Sequence, residues 1–308
     1  VNVLLTSAAH AVDIVRAFQA TAGVDRVIIA DDDPLAPAAL FADECVRVPR
    51  ASEHTFVPRL LDAVQQTQAR VLVPLGDQEL ASLSVAAAQF EALGCYVVVS
   101  RPEFIEISND KWATTKFFSS LGVATCRSWL EHHLAGAELP EQLFVRPRAG
   151  TGSRGARRVS RTQVLDGSTP LTDMVVQEVV DAPEVTIDCF FDRDGTPVHF
   201  VPRWRVATES GRSVRSITID RPLIREWLDV VLPPLGDLGA RGPIGIQAFL
   251  TRTGVRVIEV NARMSHGAPL TFAAGGTHTG WIARMRAGED LTPALGAFRA
   301  GVAMSTYP

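Results

Sequence analysis

Residues 244–263 decide the fold: Ile244-Gly245-Ile246-Gln247-Ala248-Phe249-Leu250, then Thr251-Arg252-Thr253-Gly254, then Val255-Arg256-Val257-Ile258-Glu259-Val260-Asn261-Ala262-Arg263. Two β-rich runs around a Thr/Gly turn read as a β-hairpin. Residues i and i+2 share a strand face, so Glu259 and Asn261 point together, although apolar Val257 makes the alternation imperfect. A turn centred on Thr253 sets Gln247 directly opposite Glu259. Three oxygen-bearing side chains then converge on one face. Mg2+ takes such hard donors, commonly one or two carboxylates plus substrate phosphates. A plain polar hairpin surface is the competing reading, and a one-residue slip would scatter the three groups.

The surrounding chain frames this hairpin. Glu184, Thr186 and Asp188 alternate with Val185, Ile187 and Cys189, which gives one wet and one dry strand face. A return strand follows at Val198–Val201, a helix at Arg221–Leu238 whose end Pro233 and Pro234 should disturb, and a last helix at Thr279–Ala287. Residues 1–105 differ. Apolar strands at Val1–Leu5, Val27–Ala30, Val71–Leu75 and Tyr96–Val99 alternate with amphipathic helices, the pattern of a doubly wound parallel sheet. Residues 111–121 read as a helix stopped by Gly122, and 124–180 as a small mixed-strand unit. The expected class is α/β, α+β in the C-terminal part. Its units are 1–105, a linker helix with a small lid at 106–178, and an antiparallel-sheet domain at 179–308.

Composition narrows the function. The 308 residues are 46% hydrophobic and 21% charged, as in ordinary globular proteins. A net charge of −4 speaks against a dedicated nucleic-acid binder. No apolar run is long enough for a membrane span. Cys45, Cys95, Cys126 and Cys189 are too scattered for a zinc or CxxC site, so a reducing cytoplasmic location is expected. Of 30 basic residues only Lys111 and Lys116 are lysines.

A second signal is Gly150-Thr151-Gly152-Ser153-Arg154-Gly155. A phosphate-binding P-loop needs Lys-[Ser/Thr] after its last glycine, and Ala156-Arg157 stands there. A dinucleotide fingerprint needs a helix after the loop, and the basic, β-like run that follows is not one. Strand, glycine loop, strand suits a hairpin folding its N–H groups over a triphosphate, with Arg146, Arg148 and Arg154 adding charge. A simple glycine turn with solvated arginines is the alternative.

These motifs together resemble the ATP-grasp superfamily, in its carbamoyl-phosphate-synthase-like, carboxylate–amine ligase branch. The resemblance runs from Asp31-Asp32-Asp33-Pro34, Val73-Pro74 to Glu79-Leu80 and Asn109-Asp110-Lys111-Trp112 through the glycine loop. It continues through Val176-Gln177-Glu178-Val179-Val180 and Glu184 to Gln247, Glu259, Asn261 and Arg263. It implies that Lys111, Arg146 and the loop residues Gly150, Thr151, Gly152, Ser153 and Gly155 hold the ATP phosphates. Glu178, Val179 and Val180 would meet adenine, and Glu184 the ribose. Gln247, Glu259 and Asn261 would hold one or two Mg2+ (Mn2+ as a substitute), and Arg263 would act at the γ-phosphate or acyl phosphate. Implied partners are a small carboxylate and an amine, with a homodimer allowed and neither nucleic acid nor membrane involved.

The implied reaction is ATP-dependent activation of an acid as its acyl phosphate, then capture by the amine, with ADP and phosphate released. Positioning and charge neutralisation would drive phosphoryl transfer. One nucleotide unit, and no His between Arg203 and Ser216, argue against complete carbamoyl-phosphate synthesis. Arg203, Arg205, Arg212 and Arg215 suggest instead a loop that receives a substrate carboxylate, the alternative being a solvated charged loop. His266 is a candidate substrate contact or a structural histidine. A nucleotide sensor without turnover and an NAD-dependent dehydrogenase are the competing classes.

Overall fold

The computed structural model describes residues 1–150, 152, 154–209 and 211–306. The N-terminal elements are β1 (Asn2–Thr6), α1 (Val12–Gln19), β2 (Arg26–Asp31), β3 (Glu44–Arg47), α2 (Phe56–Thr67), β4 (Val71–Pro74), α3 (Leu80–Ala92) and β5 (Tyr96–Val97). They build a parallel sheet of order β3-β2-β1-β4-β5. Its central strands are buried along their whole apolar runs, Val3–Leu5, Val27–Ala30 and Val71–Val73, because helices cover both faces. β3 was not legible: Glu-Cys-Val-Arg at a sheet edge has no apolar run to announce it.

The middle of the chain forms α4 (Pro102–Asn109), α5 (Lys111–Ser120), β6 (Ser128–Trp129), β7 (Gln142–Pro147), β8 (Arg157–Ser160), α6 (Arg161–Leu165) and β9 (Met174–Glu178). Asp110 caps α5, accepting from the N–H groups of Trp112 and Ala113 at 2.8 and 3.4 Å. The small antiparallel sheet, β6-β9-β7-β8, has its own core around Leu143, Val145, Val159, Val164 and Val176.

The rest is β10 (Glu184–Phe191), β11 (Pro197–Glu209), β12 (Arg212–Thr218), α7 (Pro222–Leu238), β13 (Gly242–Thr251), β14 (Gly254–Asn261), α8 (Ala268–Ala273), α9 (His278–Arg286) and β15 (Ala303–Ser305). These strands form an antiparallel sheet of order β14-β13-β10-β11-β12-β15. One hydrophobic core joins its apolar face to the N-terminal sheet, through Ile187, Ile244 and Ile246 with Leu4, Ile28 and Leu72.

Three expectations are corrected. α7 continues through Pro233 and Pro234 to Leu238. The prolines leave the carbonyls of Asp229 and Val230 without intrahelical donors, and both residues are exposed, so water can serve them. The stretch 203–216 is no loop but the β11–β12 hairpin. The polar face of β10 is not wet throughout: Thr186 and Asp188 are buried.

Candidate active site

A cleft of about 1240 Å³ lies where the three sheets meet. Its floor is the polar face of β10, β11, β13 and β14. The small sheet and glycine loop form one wall, and the turns after β1 and β4 form another.

The floor depends on a bulge. β13 and β14 are joined by a two-residue turn, Arg252-Thr253, with Thr251 opposite Gly254. The turn is therefore shorter than one centred on Thr253, and that register alone would set Gln247 opposite Ile258. Pairing shifts by one residue between Ala248–Val257 and Gln247–Glu259. Ile258 is the extra residue of a β-bulge, and it restores Glu259 to its place opposite Gln247. The bulge also explains the broken alternation. Before it Val255 and Val257 face the core; after it Val260 and Ala262 do, while Glu259, Asn261 and Arg263 line the cleft.

Arg146 from β7 forms an ion pair with Glu259 across the cleft. Burial pushes the Glu259 carboxyl up, but Arg146 and Lys111, with a hydrogen bond from Asn261, hold it below its ordinary value. Burial lowers the Lys111 ammonium, against the pull of Glu259. Lys111 Nζ donates to the Gly150 carbonyl at 2.7 Å, and its backbone N–H to Arg148 O at 3.0 Å. Arg148 in turn pairs with Asp110. Gly150 and Gly152 line the cleft; Gly155 packs against Pro147 instead. Thr151 and Ser153 lie outside the described residues.

At the far end Val179 and Val180 line the cleft with Glu178. The Glu178 carboxylate is already engaged: it accepts from Arg127 N at 2.9 Å, Arg127 Nε at 3.1 Å and Arg256 Nη1 at 2.8 Å. Glu184 pairs with Arg205 at 2.9 Å, and Arg205 Nη2 donates to Gly211 O at 2.9 Å, tying the Glu184 side of the cleft to the β11–β12 hairpin.

The four arginines separate. Arg203 is buried and its charge is spent on Asp188, with Nε to Oδ2 at 2.9 Å. It also donates to Ser216 at 3.1 Å and Ser265 at 3.3 Å, so it braces the turn after β14. Arg205 serves Glu184. Arg212 is exposed and lines the cleft, whereas Arg215 is exposed on the hairpin and is not among the lining residues. Arg263 reaches the N-terminal unit, with Nη2 to Asp77 Oδ2 at 2.6 Å. His266 lines the cleft beside it. Desolvation there, with Arg263 and Arg212 adjacent, lowers its imidazole to about 4, so it is neutral at pH 7.

Ser7, Asp77, Arg127, Arg256 and Asp188 were not anticipated as site or support residues. Ser7 and Asp77 had a signal: they follow β1 and β4, and open parallel sheets bind ligands at strand carboxyl ends. The arginine partners had none, because their pairings join distant strands. Among the described residues no three His, Cys, Asp or Glu side chains form a metal cluster; the candidate donor set is one carboxylate and two amides. The glycine loop joins strand to strand, and the turn after β1 carries no glycine, so neither offers a dinucleotide fingerprint.

Residues 3–98 match the family described as PylC-like, N-terminal domain. Residues 170–307 match ATP-grasp in the biosynthetic pathway with Ter operon. The C-terminal part of the chain thus matches an ATP-grasp family. The chain is 26% identical over 250 residues to the 3-methyl-D-ornithine–L-lysine ligase of Methanosarcina barkeri, covering 79% of itself and 62% of that protein. It is 25% identical over 224 residues to the carbamoyl phosphate synthase large chain of Kocuria rhizophila, covering 67% of itself and 20% of that protein. It therefore spans less than two thirds of either relative. The biotin carboxylase domain of Hydrogenobacter thermophilus 2-oxoglutarate carboxylase shares the ATP-grasp fold, with a TM-score of 0.77 at 18% identity over 97% of this chain and 72% of that one. No helix among the described residues is long and apolar enough to cross a membrane.

Proposed function

We propose that the chain is an ATP-dependent ligase that phosphorylates a small carboxylic acid and joins the acyl phosphate to an amine. The observation that carries this reading is one continuous polar floor. Lys111, Arg146, Gln247, Glu259 and Asn261 line it, with Arg263 where it meets the N-terminal unit. The likeness to a ligase joining two amino acids supports it.

Each residue then has a task. Lys111 and Arg146 neutralise ATP phosphates, the glycine loop covers them, Val179 and Val180 flank adenine, and Glu184 takes the ribose hydroxyls. The backbone at Val180 is the better adenine contact, since the Glu178 carboxylate serves two arginines and its N–H donates to Arg127 O. Gln247, Glu259 and Asn261 supply one carboxylate and two amide oxygens on one face, a set that fits Mg2+ or Mn2+. One or two such ions would supply charge neutralisation on the phosphates. Arg263 orients the transferring phosphoryl group, and Arg212 takes the acid substrate's second polar group. Closure of the small sheet over the cleft excludes water, which would hydrolyse an acyl phosphate.

The test is ADP release from ATP and MgCl2 with the twenty proteinogenic amino acids offered singly and in pairs. Release that needs both an acid and an amine supports the ligase. Tight ATP binding with no release for any pair would sink it and leave a nucleotide sensor.

A further inference from the structure

We propose that Ser7 and Glu79 form a proton relay that deprotonates the attacking amine; the proposal rests on the ligase reading. In the sheet order β3-β2-β1-β4-β5 the winding reverses between β1 and β4. The crevice at the carboxyl ends of those strands is where such sheets take ligands. Ser7 follows β1 and Gly76-Asp77 follows β4, and all three line the cleft, with Asp77 holding Arg263.

Ser7 is an unusual residue for that place. It is exposed to the cleft, yet its backbone sits in the left-handed region with φ 51°, a conformation that non-glycine residues adopt mainly where surroundings or function impose it. Its Oγ donates to Glu79 Oε2 at 3.0 Å, while Glu79 Oε1 accepts from Gly76 N–H at 2.9 Å. Gly76 is what permits the approach, since a Cβ there would stand 2.6 Å from Ser7 Oγ. Glu79 is 1% exposed and no task in nucleotide binding explains it. Burial pushes its carboxyl up to about 7, a proton affinity suited to base catalysis near neutrality. The other nearby groups are poorer bases: Asp77 is committed to Arg263, and His266 is lowered to about 4.

The chemistry balances. The amine nitrogen forms a bond to the acyl carbon, and the carbon–oxygen bond to phosphate breaks, with phosphate leaving with the electron pair. Before attack one proton of the ammonium passes to Ser7 Oγ as the Ser7 proton passes to Glu79 Oε2, and after attack the surplus proton on nitrogen leaves on the departing phosphate. Glu79 returns it through Ser7 to water before the next turnover.

The experiment separates acyl-phosphate formation from amine capture. Wild type, Ser7→Gly and Glu79→Gln are assayed with ATP, MgCl2 and each proteinogenic amino acid. Hydroxylamine, which is largely unprotonated at neutral pH, serves as trap in one arm, and a second amino acid as amine in the other. Ser7→Gly suits the left-handed backbone, and retained hydroxamate formation reports that the variant is folded. Both variants should keep hydroxamate formation within about twofold and lose about 100-fold or more in ligation. Equal loss in both arms, or ligation unchanged in Ser7→Gly, overturns the relay. A wild type that makes no hydroxamate with any acid overturns the ligase reading, and the relay with it.

Discussion

Arg146 of the small sheet and Glu259 of the large sheet form an ion pair across the cleft. Two groups expected to serve ATP and metal thus hold each other in place. Arg146→Met should weaken ATP binding about 10- to 100-fold, the worth of a charged hydrogen bond, measured by titration calorimetry. Glu259→Gln should leave ATP binding without Mg2+ nearly unchanged and remove the strengthening that Mg2+ brings. Loss of binding in the absence of Mg2+ would show that Glu259 only supports Arg146.

The two lysines should behave differently. Lys111 Nζ is buried and bonded to Gly150 O at 2.7 Å, whereas Lys116 lies over the Trp112 ring at 5.9 Å. Lys111→Ala should raise the ATP dissociation constant about tenfold or more, and Lys116→Ala less than about twofold. Equal effects would leave the scarcity of lysine as composition alone.

Arg212 and Arg203 should separate substrate recognition from architecture. Arg212→Ala should raise KM for the acid far more than KM for ATP, with little change in Tm. Asp188→Ala strands the buried Arg203 and should cost about 3–5 kcal/mol, read in thermal or urea unfolding. A stable Asp188→Ala protein would contradict the bracing role given to this pair.

Stability should fall on mild acidification. His278 is fully buried among Phe190, Phe272 and Trp281, with neither ring nitrogen partnered among the described residues. Burial lowers its imidazole from 6.5 to about 3. The unfolded chain therefore binds a proton below pH 6.5 that the folded chain refuses. Stability is complete above that value and declines until about pH 3. Between pH 7 and 5 this one residue should cost about 2 kcal/mol. His278→Phe keeps the ring packing and should remove that part of the pH dependence in urea titrations; an unchanged slope would refute the assignment.

The sequence showed the three layers because their apolar periods differ: continuous runs in the parallel sheet, alternation in the antiparallel ones. It showed the Gln247–Glu259 pairing too, through a turn one residue too long and a bulge left unread, two errors that cancel in the register. It did not show that Arg203 is buried, because a charged strand residue and a charged loop residue look alike until Asp188 is brought across from β10. Glu178 shows the same limit. Its residue type suits a nucleotide contact, but Arg127 and Arg256, far away in the chain, determine what its carboxylate does.

The bulge at Ile258 separates two properties of the hairpin that a regular ladder would bind together. In a regular ladder, any change in turn length flips every side chain beyond it. Here the ladder beyond the bulge carries its own phase, and the tip can follow a different one. Deleting Ile258 should therefore leave Gln247 opposite Glu259, in an unbulged ladder with the same two-residue turn, and remove only the local kink of the strand. The extra residue thus bends the floor of the cleft, while the strand alternation on its far side decides which side chains face it.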